Sequence, residues 1–96
     1  MPRLIWTRTA QQAITRLHRF LADQDAAAAR RAIQSIRAGV NVLVRQPRLG
    51  RPVDDLDPAF REWLIDFGDS GYAVLYRVDN DAVTILTIRH QREAGY

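Results

Sequence analysis

The sequence predicts an α+β domain with the order β-α-α-β-β-β, an antiparallel sheet packed against an N-terminal helical hairpin. Three observations carry this expectation. Two successive apolar stripes at helical spacing occupy residues 10–44, separated by a short acidic connection. The segment FREWLIDF alternates as a half-buried strand does. Beyond it, Tyr72 to Tyr96 places two apolar, β-branched runs around Asp79-Asn80-Asp81, a hairpin signal because Asp and Asn tolerate the left-handed backbone of tight turns.

Taken in order, Leu4-Ile5-Trp6-Thr7 reads as a short edge strand. Thr9, with Gln12 three residues on, forms a capping box for a helix from Thr9 to Ala22. Its apolar positions are Ala10, Ala13, Ile14, Leu17, Phe20 and Leu21, and His18 falls on the solvated face. Asp25 is a suitable N-cap for a second helix, Ala26 to Arg45, with the stripe Ala29, Ile33, Ile36, Val40, Leu43 and Val44. Gly39 interrupts that stripe at a loss of about 1 kcal/mol against Ala, which points to close packing there. Pro47 ends the helix by pushing residue 46 out of the α region. The short link between the helices implies an antiparallel pair.

The stretch from Pro47 to Pro58 is turn-rich and then acidic, at Asp54, Asp55 and Asp57; a loop of that length in so small a domain is either functional or a plain crossover. In the strand that follows, Arg61, Trp63, Ile65 and Phe67 face one way, and Phe60, Glu62, Leu64 and Asp66 the other.

Composition narrows the chemistry. Residues 1–96 read as one small domain with net charge +3, and the core is small enough that a partner is expected to add stability. The N-terminus shows no secretory signal, and no apolar run is long enough to cross a membrane. The absence of Cys removes disulfides and thiolate chemistry and fits a reducing cytoplasm. All 14 basic residues are Arg, so no Lys is available as a base or Schiff-base former. No cofactor motif and no metal-ligand spacing is present.

What remains is guanidinium placement. Arg61, Arg77 and Arg89 lie on three successive strands near their ends, with His90 and Arg92 continuing from the last. Such a cluster at one sheet end suits phosphate or carboxylate binding. On an RNA target, His90 or Tyr96 would exchange protons while Arg61 stabilised the transition state. The alternative is that each Arg pairs with a nearby carboxylate, among Glu62, Asp66, Asp79 and Glu93.

The element order, the Leu49-Gly50-Arg51-Pro52 turn, Arg61-Glu62-Trp63, the Tyr76-Arg77-Val78 strand and the closing Ile88-Arg89-His90-Gln91-Arg92-Glu93 together resemble the ParE/RelE superfamily of toxins from bacterial type II toxin–antitoxin modules. The resemblance covers nearly the whole chain. It implies a cytoplasmic toxin neutralised by a cognate antitoxin, whose C-terminal segment wraps the toxin. It also implies contact with DNA only indirectly, through the antitoxin complex. The antitoxin is expected to cover apolar surface around the helical hairpin at Leu17, Phe20, Leu21, Ile33, Arg37 and Val40.

Two branches are implied. RelE-like members are ribosome-dependent mRNA endonucleases that use basic residues, often Lys in the loop before the second strand, with an Arg on the middle strand and a C-terminal Tyr or His. Here there is no Lys, and Tyr72, Ala73 and Val74 stand where that Arg is usual. The GDSGY turn, the LYRV strand and the RHQREAGY ending are more similar to the ParE branch, which poisons DNA gyrase and is paired with a ribbon-helix-helix antitoxin of ParD type. On that reading Arg61, Arg77, Arg89, His90 and Arg92 face the target. On the RelE-like alternative, His90, Tyr96 and Arg61 are catalytic.

Overall fold

The computed structural model describes residues 2–92. Strand β1 (Arg3–Trp6) leads into helices α1 (Arg8–Ala22) and α2 (Ala26–Arg45). Strands β2 (Arg51–Pro52), β3 (Phe60–Phe67), β4 (Ser70–Val78) and β5 (Ala82–His90) follow, and the sheet order is β1-β5-β4-β3-β2. The two helices and the β3-β4-β5 meander match the expected order.

The sheet is mixed rather than wholly antiparallel. β1 runs parallel to β5, with Leu4 opposite Val83 and Trp6 opposite Ile85. The meander uses its own inner edges, so the free edge of β5 is what remains for β1 to pair with. The Arg3 N–H donates to Asp81 O at 2.7 Å, and the Thr7 N–H to Ile85 O at 3.2 Å. At the opposite edge, part of the expected loop forms β2, where Arg51 lies opposite Glu62 and Pro52 opposite Arg61. Pro is tolerated there because an edge strand can leave one N–H position unused.

Helix α1 begins two residues earlier than the capping box predicts. Thr7, not Thr9, is the N-cap: its Oγ1 accepts from the Ala10 N–H at 3.1 Å and donates to Ile85 O at 2.7 Å. Ile85 borders an irregularity in β5, since Tyr76 pairs with Ile85 but Leu75 pairs with Thr87. Thr7 therefore ties the start of the helix to the sheet, a long-range bond that no local pattern encodes. Asp25 caps α2 as expected, its carboxylate accepting from the Ala27 and Ala28 N–H groups.

The core lies between the helical hairpin and one sheet face. Ala10, Ala13, Ile14 and Leu17 of α1 and Ala32, Ile36, Val40 and Leu43 of α2 meet Ile65, Tyr72, Val74, Tyr76, Val83, Ile85 and Ile88. Val40 is fully buried in the core, so it cannot serve as the antitoxin contact expected of it; Leu17 is 4 % exposed and keeps only an edge at the surface. Phe20 is the opposite case, an apolar residue of the same stripe left 64 % exposed. Gly39 is packed closely, as its position predicts. A Cβ there would come within 2.6 Å of the Ile65 side chain, and the Trp63 indole N–H donates to Gly39 O at 3.1 Å.

Candidate functional site

The antiparallel register decides which of the expected site residues meet. Arg61 pairs with Tyr76, and Arg77 with Phe60, so both lie at the end of the sheet where β3 begins. Arg89 pairs with Ala73 and His90 with Tyr72, toward the other end. The expected arginine cluster at one sheet end is therefore not formed. Alternation also puts Arg61 on the helix-facing side with Tyr76 and turns Arg77 to the open side.

At the β3 start, the guanidinium of Arg61 works inside the fold. Its Nη1 donates to Gly50 O at 2.6 Å and to Arg48 O at 3.2 Å. The Tyr76 hydroxyl completes this anchor, donating to Pro47 O at 2.7 Å and accepting from the Gly50 N–H at 2.9 Å. Burial pushes the Tyr76 phenol above its usual range, opposed by the Gly50 hydrogen bond and the Arg61 charge. Gly50 has to be glycine here, because a Cβ would sit 2.6 Å from the Tyr76 hydroxyl and 2.7 Å from Glu62 O. Arg77 is exposed, pairs with Asp79 at 3.1 Å and lies over the Phe60 ring.

On the open side of the sheet, Glu62 is the one buried carboxylate among the described residues, with 7 % of its side chain exposed. Arg51 Nη2 meets its Oε1 at 2.8 Å, and Arg89 Nη2 reaches its Oε2 at 3.5 Å. Arg89 arrives from β5 across β4, where its partner in the register is the small, fully buried Ala73. Arg89 Nη1 also donates to the carbonyls of His90 and Gln91. A guanidinium so placed neutralises a buried carboxylate and binds the end of β5.

The end of β5 carries the second constellation. His90 Nε2 is 2.9 Å from Ser70 Oγ, and His90 Nδ1 accepts from the Arg92 N–H at 3.1 Å. The ring meets Tyr72 edge-on at 5.5 Å, and Tyr72 packs on Phe67 at 6.2 Å. Burial also raises the Tyr72 phenol. Beside this stack a cleft of about 530 Å³ is lined by Arg16, Leu17, Phe20, Leu21, Tyr72, His90 and Arg92. Its floor is apolar and aromatic, and cationic groups stand at its rim. Ile33 is half-buried on α2, and Arg37 is exposed, with its guanidinium 5.7 Å from the centre of the Trp6 ring.

Sequence reasoning passed over Ser70, seen only as a turn residue; it offered Glu62 among the carboxylates that could pair with the strand arginines, as Arg89 does, but did not bring Arg51 to it. A lone Glu on the polar side of a strand gives no sign of being buried; only the register brings two arginines to it. Tyr96 and Glu93 lie outside the described residues. Among the described residues, no three His, Cys, Asp or Glu side chains gather in a way that could hold a metal ion.

This layering of helices and sheet recurs in solved structures. A chain of the chromosomal ParDE toxin–antitoxin system from P. aeruginosa superposes with a TM-score of 0.78 at 22% identity, covering 94% of this chain and 96% of that one. A chain of the toxin–antitoxin complex RelBE2 from Mycobacterium tuberculosis gives 0.66 at 23% identity, covering 95% and 100%. The chain thus shares the α+β fold of these two solved chains. The family described as the ParE toxin of type II toxin–antitoxin systems, parDE, matches residues 4–95, and the chain belongs to it. Toxin RelE3 of Caulobacter vibrioides is 38% identical over 84 residues, 88% of each chain.

Proposed function

We propose that this type II toxin inhibits DNA gyrase and so blocks replication, acting by binding rather than by cleaving RNA. One observation carries the reading: among the described residues, the two groups expected of an RNA-cleaving site, Arg61 and His90, do not converge. Arg61 and His90 pair with Tyr76 and Tyr72, four residues apart along β4, or about 13 Å of strand. Acid–base groups must reach one scissile bond at hydrogen-bond distance. Arg61 is instead turned onto the carbonyls of Arg48 and Gly50, and both nitrogens of His90 are engaged. The gyrase-facing groups are then those at the end of β5, with Arg92 exposed and His90 beside it; Arg61 and Arg89 are engaged inside the fold, and the exposed Arg77 lies at the other end of the sheet.

The toxin is neutralised in the cytoplasm by a cognate antitoxin of ParD type. The exposed Phe20, with Leu21 and the cleft beside Tyr72, is the apolar surface the antitoxin would cover; Ile33 and Arg37, on α2, are further contacts outside that cleft's lining. A partner that binds only the folded toxin raises its apparent stability, so the complex should melt well above the toxin alone.

The second reading, a ribosome-dependent mRNA endonuclease, is favoured by the name of the relative Toxin RelE3. The two separate in parallel assays on the purified toxin, with and without preincubated antitoxin. Loss of plasmid supercoiling by gyrase, relieved by antitoxin and without mRNA cleavage on ribosomes, is the expected result. Unimpaired gyrase with cleaved ribosomal mRNA would reverse the assignment.

A further inference from the structure

The two helices share a property that neither the core nor the cleft explains. Between them they carry Arg8, Arg16, Arg19, Arg30, Arg31, Arg37 and Arg45, all exposed, and not one Asp or Glu. The nearest carboxylates in sequence are Asp23 and Asp25 in the connection between the helices. On the solvent side of α1, Arg8, Gln11, Gln12, Thr15, Arg16 and Arg19 line a shallow groove of about 550 Å³. These positions recur every three or four residues and lie on one helical face, opposite the buried Ala10, Ala13, Ile14 and Leu17. Arg8 to Arg19 spans about 16 Å along the axis. Arg8 and Arg19 make no ion pair among the described residues.

We propose that this solvent face of α1 binds the phosphate backbone of duplex DNA. Guanidinium, amide and hydroxyl groups are the side chains that contact phosphates and sugars, and the groove contains nothing else. It has no aromatic ring on which an unpaired base could stack, which disfavours single-stranded RNA or DNA. It has no aromatic or aliphatic anchor of the kind that centres a protein interface, which disfavours an acidic protein. The family resemblance implies DNA contact through the antitoxin complex alone; the α1 face adds a contact made by the toxin itself. A toxin held loosely on DNA is concentrated where a topoisomerase works, but the contact stands without that target.

The test is fluorescence anisotropy of the purified full-length toxin with a labelled DNA duplex of arbitrary sequence, titrated across salt concentrations. Three phosphate contacts give a log–log salt slope of about −2.7, so a fourfold rise in salt weakens binding about 40-fold. The Arg8→Gln, Arg19→Gln double substitution should flatten the slope by about 1.8 and weaken binding at low salt by at least tenfold. Arg48→Gln, on the exposed loop after α2, should leave both unchanged, and thermal melting checks that each variant is folded. Duplex binding that is indifferent to the double substitution, or tighter binding of a single-stranded RNA of equal length, overturns the proposal. Neither gyrase nor ribosomes enter the assay, so its outcome is separate from that of the gyrase reading.

Discussion

His90 Nε2 lies 2.9 Å from Ser70 Oγ, while His90 Nδ1 accepts the backbone N–H of Arg92. A neutral imidazole has one donor and one acceptor, and the Arg92 bond makes Nδ1 the acceptor. Nε2 therefore carries the proton and donates to the serine. That polarity is the reverse of what a base activating a serine needs. The pair is a clasp that closes the end of the β4–β5 ladder and directs the chain leaving β5.

Ser70→Ala should accordingly leave toxicity in cells within about twofold of wild type and lower stability by about 1 kcal/mol, the usual net worth of one hydrogen bond. Chemical denaturation and growth inhibition, measured side by side, check it. A collapse of toxicity in a stably folded Ser70→Ala variant would give Ser70 a role in the activity.

The glycines at 39 and 50 should respond differently to alanine. At Gly39 the atoms in the way belong to the Ile65 side chain, and a helix gains about 1 kcal/mol from Ala over Gly. At Gly50 the obstacles include a backbone carbonyl and the hydroxyl that anchors the loop, and no such gain applies. Gly50→Ala should destabilise by about 2–3 kcal/mol and Gly39→Ala by at least 1 kcal/mol less. Denaturant midpoints at matched slopes decide it.

Alkaline pH should find the Tyr76 anchor. Burial raises the folded-state phenol above its ordinary value of about 10, so the folded protein holds this proton more tightly than the unfolded chain. The resulting stability is present in full below pH 10 and is lost as pH rises through the folded value. Tyr72 is shifted in the same direction and adds to the effect. Tyr76→Phe should lower stability at neutral pH by about 1–3 kcal/mol, because the buried Gly50 N–H loses its acceptor. It should also flatten the decline above pH 10, measured by urea titration from pH 8 to 11.

Phe20 is the residue whose truncation should separate the antitoxin from the fold. At 64 % exposure its removal leaves the core intact. If the antitoxin fills the neighbouring cleft, Phe20→Ala weakens that complex by about 2 kcal/mol, roughly 30-fold, as loss of an aromatic anchor does. Calorimetric titration with the antitoxin measures it, and a melting temperature within about 2 °C of wild type would show that the loss is one of binding.

The sequence by itself determined the local structure. Apolar spacing fixed both helices, because a 3.6-residue period leaves one face to bury; Asp25 and Pro47 bounded α2 through caps and sterics acting within a few residues. The alternation in FREWLIDF set β3 from Phe60 to Phe67, and Asp79-Asn80-Asp81 set the last turn. Tertiary structure decided everything that depends on two distant segments meeting. It chose Thr7 over Thr9 as the cap, because only Thr7 reaches Ile85. It sent Arg61 and Arg89 toward opposite ends of the sheet, because antiparallel pairing reverses the chain at each turn. It buried Glu62 between Arg51 and Arg89, joined Ser70 to His90, and withdrew Val40 from the surface. Propensity and periodicity act over one or two turns of chain, whereas register and long-range hydrogen bonds exist only once the layers have packed.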